Sequence, residues 1–292
     1  MCHRARALWT AWLLIPAALT VGSARASDRP WQRWEVTLAL RVTGTNGKPA
    51  TLRLALPPES PTQKISDITT TPRRWKVDLE ADGSGPHVTL SGKSRDARRF
   101  AVSFRVTSRA EHRAVGRVMP VDAPPPDLLP FLSPSPLFQS RSILVREFLD
   151  THVAPSLASG QQDVLRAIFD ATRSGIEWRR NGKSLPLDVI RRGQGKRIGI
   201  ERAFVTFLRC AHIPARLVEG IDLHSTTQRK RRFWTEVWTK GRWVAVSASQ
   251  GWIGHLPAGY VALTRDGERV LSVDGAAKGT YVVQARRLGD GQ

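Results

Sequence analysis

The chain has 292 residues, 41% of them hydrophobic, and carries 45 Lys and Arg against 25 Asp and Glu, a formal charge of +20. That length supports at least one sizeable core and one or two domains. Its two cysteines are Cys2 and Cys210. With Cys2 in an N-terminal leader, an internal disulfide is excluded. The histidines at 87, 112, 152, 212, 224 and 255 follow no metal-ligand spacing, so no metal and no cofactor is expected.

Residues 1–26 read as a secretory signal peptide: Arg4 and Arg6 precede an apolar run from Leu13 to Val21, and Ala24-Arg25-Ala26 is an A-x-A site with cleavage after Ala26. A periplasmic or secreted location is therefore expected. The apolar run is too short and interrupted for a good membrane span, and no other stretch is long enough. Removing the leader takes away three arginines and no acid, so the mature chain stays strongly basic. Such a charge favours phosphate-bearing lipid, an acidic wall polymer or another anionic polymer, or an acidic envelope protein, and export argues against nucleic acid. The same charge also fits residues that are simply solvated on several faces.

Residues 31–118 alternate apolar and polar in short runs at 34–42, 50–56, 75–79, 87–90 and 100–107, separated by Gly, Pro and Asp clusters. This period of two predicts a small antiparallel β-sandwich, with 34–42 and 50–56 forming a hairpin across Asn46-Gly47. Trp31, Trp34 and Trp75 are expected to pack on the sheet faces. Residues 119–140 hold seven prolines, which excludes a long helix or a central strand and predicts an extended connector. Its Leu128, Leu129, Phe131, Leu132 and Phe138 predict that it packs along a surface.

From residue 141 the spacing becomes helical. Patterns run over 141–152, with Ile143, Leu144, Phe148 and Leu149 on one side, then over 161–174 and 185–191. The longest runs from Lys196 to Ile213, with Ile200, Ala203, Phe204, Phe207, Leu208 and Ala211 on its apolar positions. Pro214 stops it, and a strand follows from Ala215 to Ile221. A helix ending in Ile213-Pro214-Ala215-Arg216 and feeding a strand resembles the core of the transglutaminase-like superfamily. The run Ile176-Glu177-Trp178 and the turn 192–195 resemble the elements that precede that helix.

In that family a cysteine opens the helix, a histidine heads an H-A-W-V-E-V strand, and an aspartate closes a G-x-W-x-x-x-D hairpin. The corresponding runs here are Arg197-Ile198-Gly199-Ile200, Arg232-Phe233-Trp234-Thr235-Glu236-Val237 and Gly241-Arg242-Trp243-Val244-Ala245-Val246-Ser247. The triad-equivalent positions are thus Arg197, Arg232 and Ser247. Arginine is neither a nucleophile nor a usable base, and serine supplies no carboxylate charge. Cys210 is thirteen residues along the same helix, about 20 Å from its start, and reads as a packing thiol. His224 and His255 read as surface residues.

The resemblance implies an α+β protein: an N-terminal antiparallel β-sandwich (31–118), a Pro-rich connector (119–140) and a transglutaminase-like domain (141–288) of helices packed on an antiparallel sheet. It resembles in particular the inactive domains that are fused to seven transmembrane helices in some bacterial proteins, here as a free-standing version. The expected function is a catalytically inactive binding or scaffold module, with no catalytic residue. Its candidate binding residues are Arg197, Arg232, Trp234 and Glu236, enclosing a carboxylate or phosphate, with a basic run at 228–232 beside them. The alternative is an active hydrolase or amide transferase that uses displaced residues.

Overall fold

The computed structural model describes residues 30–43, 49–71, 76–82, 85–93, 99–225, 231–274 and 278–291. The leader, Asn46-Gly47, Trp75 and residues 228–230 of the basic run lie outside them. In chain order the strands β1 (Trp31–Thr43), β2 (Pro49–Ala55), β3 (Gln63–Thr71), β4 (Lys76–Asp82), β5 (Gly85–Lys93), β6 (Arg99–Ser108) and β7 (Glu111–His112) come first. A short 3-10 helix at Pro126–Phe131 leads to α1 (Ile143–His152), α2 (Ala154–Ala158) and α3 (Val164–Gly175). Then follow β8 (Glu177–Lys183), α4 (Pro186–Arg192), β9 (Gln194–Gly195) and α5 (Arg197–Cys210). The chain closes with β10 (Ala215–Asp222), β11 (Arg231–Thr239), β12 (Arg242–Ser247), β13 (Trp252–Ile253), β14 (His255–Leu256), β15 (Tyr260–Arg265), β16 (Leu271–Asp274) and β17 (Lys278–Gly291).

Alternation builds the first half. In β1 every second residue from Trp34 to Val42 is buried, and Phe100, Val102, Phe104 and Val106 of β6 do the same. These line one face of a sheet ordered β17-β1-β6-β3. Leu52, Leu54, Val88 and Leu90 line the facing sheet, ordered β16-β2-β5-β4, and the two faces share one core. The expected hairpin between 34–42 and 50–56 is therefore not formed: β1 pairs with β17 and β6, whereas β2 pairs with β16 and β5 in the opposite sheet. Period two marks which face is buried and says nothing about the neighbour.

The same pairings revise the division at 141–288. Its last strands, β16 and β17, complete the sandwich sheets, because their inward residues Val273, Tyr281 and Val283 extend that core. The connector packs as expected, with Leu128 and Phe138 buried, although Leu129 is exposed. In α1 the buried residues are Val145 and Phe148, and Ile143 faces outward.

In the second half, α5 packs on a five-stranded antiparallel sheet ordered β13-β12-β11-β10-β15, and α1, α3 and α4 pack around α5. Ala203, Phe204, Phe207 and Leu208 of α5 meet Ala215 and Leu217 of β10 and Val237 of β11. The pairing of β10 with β15 shifts register between Glu219 and Gly220, where β15 carries the extra residue Leu263, and Ile221 and Leu223 join Val261 and Leu263 in the sandwich core. The sheet thereby contacts both cores. Gln63 of β3 extends this junction: its amide donates to the carbonyl of Ala262 at 3.3 Å and accepts from the Ala262 N–H at 3.0 Å.

Candidate functional site

The start of α5 is held by close backbone packing. Lys196 caps the helix without a side-chain hydrogen bond, and its N–H donates instead to the Lys183 carbonyl at 2.9 Å. Gly199 is required because a Cβ there would fall on that same carbonyl and on Val189. Arg197, the first helical residue, is exposed, with its guanidinium 5.7 Å from the ring centre of Trp178, itself 51% exposed. A cation at this end is opposed by the helix dipole, and stacking on the indole offsets part of that cost. Arg179, Arg180, Lys183 and Arg192 surround a recess of about 390 Å³ on this face.

One turn further, Glu201 points from α5 into the sheet. It is fully buried, and three groups donate to it: Thr235 Oγ1 at 3.0 Å, Ser247 Oγ at 2.7 Å and the Ser249 N–H at 2.9 Å. Burial pushes its carboxyl above the ordinary range, partly opposed by the hydrogen bonds from Ser247, Ser249 and Thr235. Ser247 also accepts from the Gln250 N–H at 3.2 Å. Glu201, Thr235 and Ser247 are each 0% exposed.

Strand β11 then divides the candidate residues between two faces. Thr235 and Val237 face α5. Trp234 and Glu236 face the opposite side, where they line a pocket of about 360 Å³ with Arg216, Arg265 and Trp243. There Arg216 donates to Glu236 Oε2 from Nε at 2.7 Å and Arg265 does so at 3.4 Å. Burial raises the Glu236 carboxyl, but Arg216 and Arg265 together more than reverse this and hold it below the ordinary range. Arg232 shares the parity of Trp234 and donates to Asp222 Oδ2 at 2.8 Å.

The four residues expected to enclose one anion are thus not one cleft: Arg197 stacks on Trp178, Arg232 pairs with Asp222, and Trp234 and Glu236 line the pocket across the sheet. Cys210 ends α5 half-buried, and burial pushes its thiol up, away from the reactive thiolate. His224 is exposed, edge-on to Trp34 at 5.0 Å, and His255 is half-buried against His112, the ring centres 4.1 Å apart and the planes tilted by 49°. Among the described residues no three His, Cys, Asp or Glu converge as a metal site, and no helix is long and apolar enough to cross a membrane.

Two central residues were missed in the sequence. Glu201 is the one acid of α5, set beside the apolar Ile200, Ala203 and Phe204, and that mismatch is its signal in the sequence. Arg209 is the second: its side chain is 2% exposed, and it grips Asp266 with two hydrogen bonds of 2.7 and 2.8 Å, reaches the Ala215 carbonyl at 3.0 Å and covers the ring of Phe138 at 4.3 Å.

A helix packed against an antiparallel sheet, with its first turn beside the second and third strands of that sheet, defines the papain-like, transglutaminase-like class. Residues 151–248 match the Transglutaminase-like superfamily, so this part of the chain is a transglutaminase-like domain. No curated protein sequence matches the chain. A crystal structure of a provisionally named cysteine protease from Cytophaga hutchinsonii superposes with a TM-score of 0.67 at 18% identity, covering 90% of this chain and 92% of that one. It shares the fold over almost the whole length. Two further structures align more weakly: one called a TGase (TM-score 0.30, 10% identity, 62% of this chain and 44% of that one) and one provisionally named a protease from Parabacteroides distasonis (0.29, 13%, 68% and 42%).

Proposed function

We propose that the transglutaminase-like domain is a non-catalytic binding module, carried on an exported protein, whose partners are acidic. The observation that carries this reading is Arg197, an exposed guanidinium on the helix start where the family resemblance calls for a thiol. Behind it, the serine at the aspartate-equivalent position is committed to Glu201, and Glu201, Thr235 and Ser247 are shut from solvent. A substrate amide cannot reach a serine that is 0% exposed, so the pairing of Ser247 with Glu201 supports packing more than chemistry. Around the helix start, Arg179, Arg180, Lys183 and Arg192 gather positive charge at one recess. Glu177 and Asp188 offset only Arg179 and Arg191. The strong positive charge of the whole chain adds long-range attraction for polyanions.

The experiment is a binding titration of the full chain with fluorescein-labelled polyglutamate over a salt series. The expected result is saturable binding that weakens steeply with salt, and a loss of about tenfold in the Arg179→Ala/Arg180→Ala double variant. Absence of binding at low salt, or equal binding by wild type and double variant, overturns the acidic-partner reading.

A further inference from the structure

The pocket on the outer face of the five-stranded sheet is a built site distinct from the basic recess. Its floor comes from the sheet and its wall from the loop 59–63 of the sandwich, so both halves of the molecule contribute. Trp234 is 0% exposed, and its indole N–H has no acceptor among the described residues. Burying such a donor without a partner is costly, and the Trp234 ring lines the floor of the pocket. Gly220 makes this possible, since a Cβ there would strike the Trp234 ring.

Charge selects the kind of acceptor. Arg216 and Arg265 share one carboxylate, Glu236, and neither has a further hydrogen-bond partner among the described residues. Two cations against one anion leave room for a single negative charge. The guanidinium of Arg216 lies over the Trp243 ring, 4.0 Å from its centre, and this contact with the bond to Glu236 holds the fork in place. At the rim Arg113 is already engaged by Glu111. A phosphate dianion would overcharge this floor, whereas a carboxylate balances it, and the indoles of Trp238 and Trp243 give an apolar body somewhere to pack. A volume of about 360 Å³ suits a compact molecule.

We propose that this pocket binds a small organic carboxylate, its oxygens taken by Arg216 and Arg265 beside the Trp234 ring that lines the floor. It lies on the opposite face of the sheet from Thr235 and Glu201, so it neither requires nor excludes chemistry at the α5 side.

Benzoate and N-acetylalanine, each against its neutral amide, are the probes. The readout is the indole N–H signals of the full chain in 15N NMR, at roughly 0.3 M salt to suppress non-specific attraction. The expected result is a saturable shift of the Trp234 signal, assigned by its loss in Trp234→Phe, with at least one carboxylate binding about tenfold tighter than its amide. Arg265→Gln weakens this binding by about tenfold, and Glu236→Gln, which frees both guanidiniums from the resident carboxylate, strengthens it severalfold. Arg179→Ala/Arg180→Ala leaves it unchanged, which separates this site from the polyanion face. No saturation by either acid up to about 20 mM, or equal binding of acid and amide, overturns the proposal. If Arg265→Gln does not fold, the Glu236→Gln titration decides alone: tighter binding supports the site, and unchanged binding overturns it.

Discussion

Glu201 has the most to lose or gain from a single change, because it is an acid with no exposure and three donors aimed at it. Glu201→Ala removes the acceptor from Thr235, Ser247 and the Ser249 N–H at once, and chemical denaturation should show a loss of about 2–4 kcal/mol. Glu201→Gln keeps an acceptor and removes the cost of burying charge, so it should fold normally. The sign of the pH effect follows from the raised carboxyl. Its contribution to stability is present in full below the ordinary value of 4.5 and is lost as pH rises toward the raised folded value. The stability of Glu201→Gln relative to wild type should therefore increase across that interval, and a parallel pair of pH curves would contradict the assignment. Arg209 is the other residue on which much rests. Arg209→Ala strands Asp266 and opens the contact with Phe138, for an expected loss of about 3–5 kcal/mol. Arg209→Lys should recover little of it, because an ammonium cannot make the paired contacts to Asp266 and also reach Ala215.

At the scale of elements, the contact of α5 with the end of β8 fixes the whole α5 face. Helix propensity alone would make Gly199→Ala a gain of about 1 kcal/mol. The overlap with the Lys183 carbonyl and Val189 reverses the sign, and thermal unfolding should show a net loss of about 1–3 kcal/mol. How legible each element was depends on how many faces it buries. Helix α3 and strands β1 and β6 bury regular stripes, α5 is buried nearly all round, and all four stand out in the sequence. Strand β3 does not, because it is a sheet edge with the polar run QKISDITTT and few inward residues. The candidate binding residues do not share one cleft. Arg232, Trp234 and Glu236 are two apart along a strand and share a face, whereas the α5 side belongs to Thr235 and Val237, so parity already separated Arg197 from the other three. The register shift between β10 and β15 and the partners of Glu201 depend on contacts far apart in the chain, which local spacing does not encode.

At the scale of the molecule, the two halves are tied by the chain termini and by β10 and β15. β17 pairs with β1 from Lys278 to Gly291, so the first described strand is covered by the last. Truncation before Lys278 exposes the edge of β1 and opens the sandwich core, and the shortened chain should aggregate or lose its cooperative transition. Retention of a single sharp unfolding transition would show that the sandwich closes without its C-terminal strand. The charge of +20 acts over the same scale, setting which partners approach before any pocket discriminates among them. The central claim, that a transglutaminase-like domain with Arg197 at its helix start binds instead of reacting, is tested most directly by one assay. It measures peptide-amide hydrolysis and amine transfer by the full chain beside its Ser247→Ala variant. The account predicts no turnover above the protein-free blank for either. Turnover by the wild type that disappears in Ser247→Ala would contradict it.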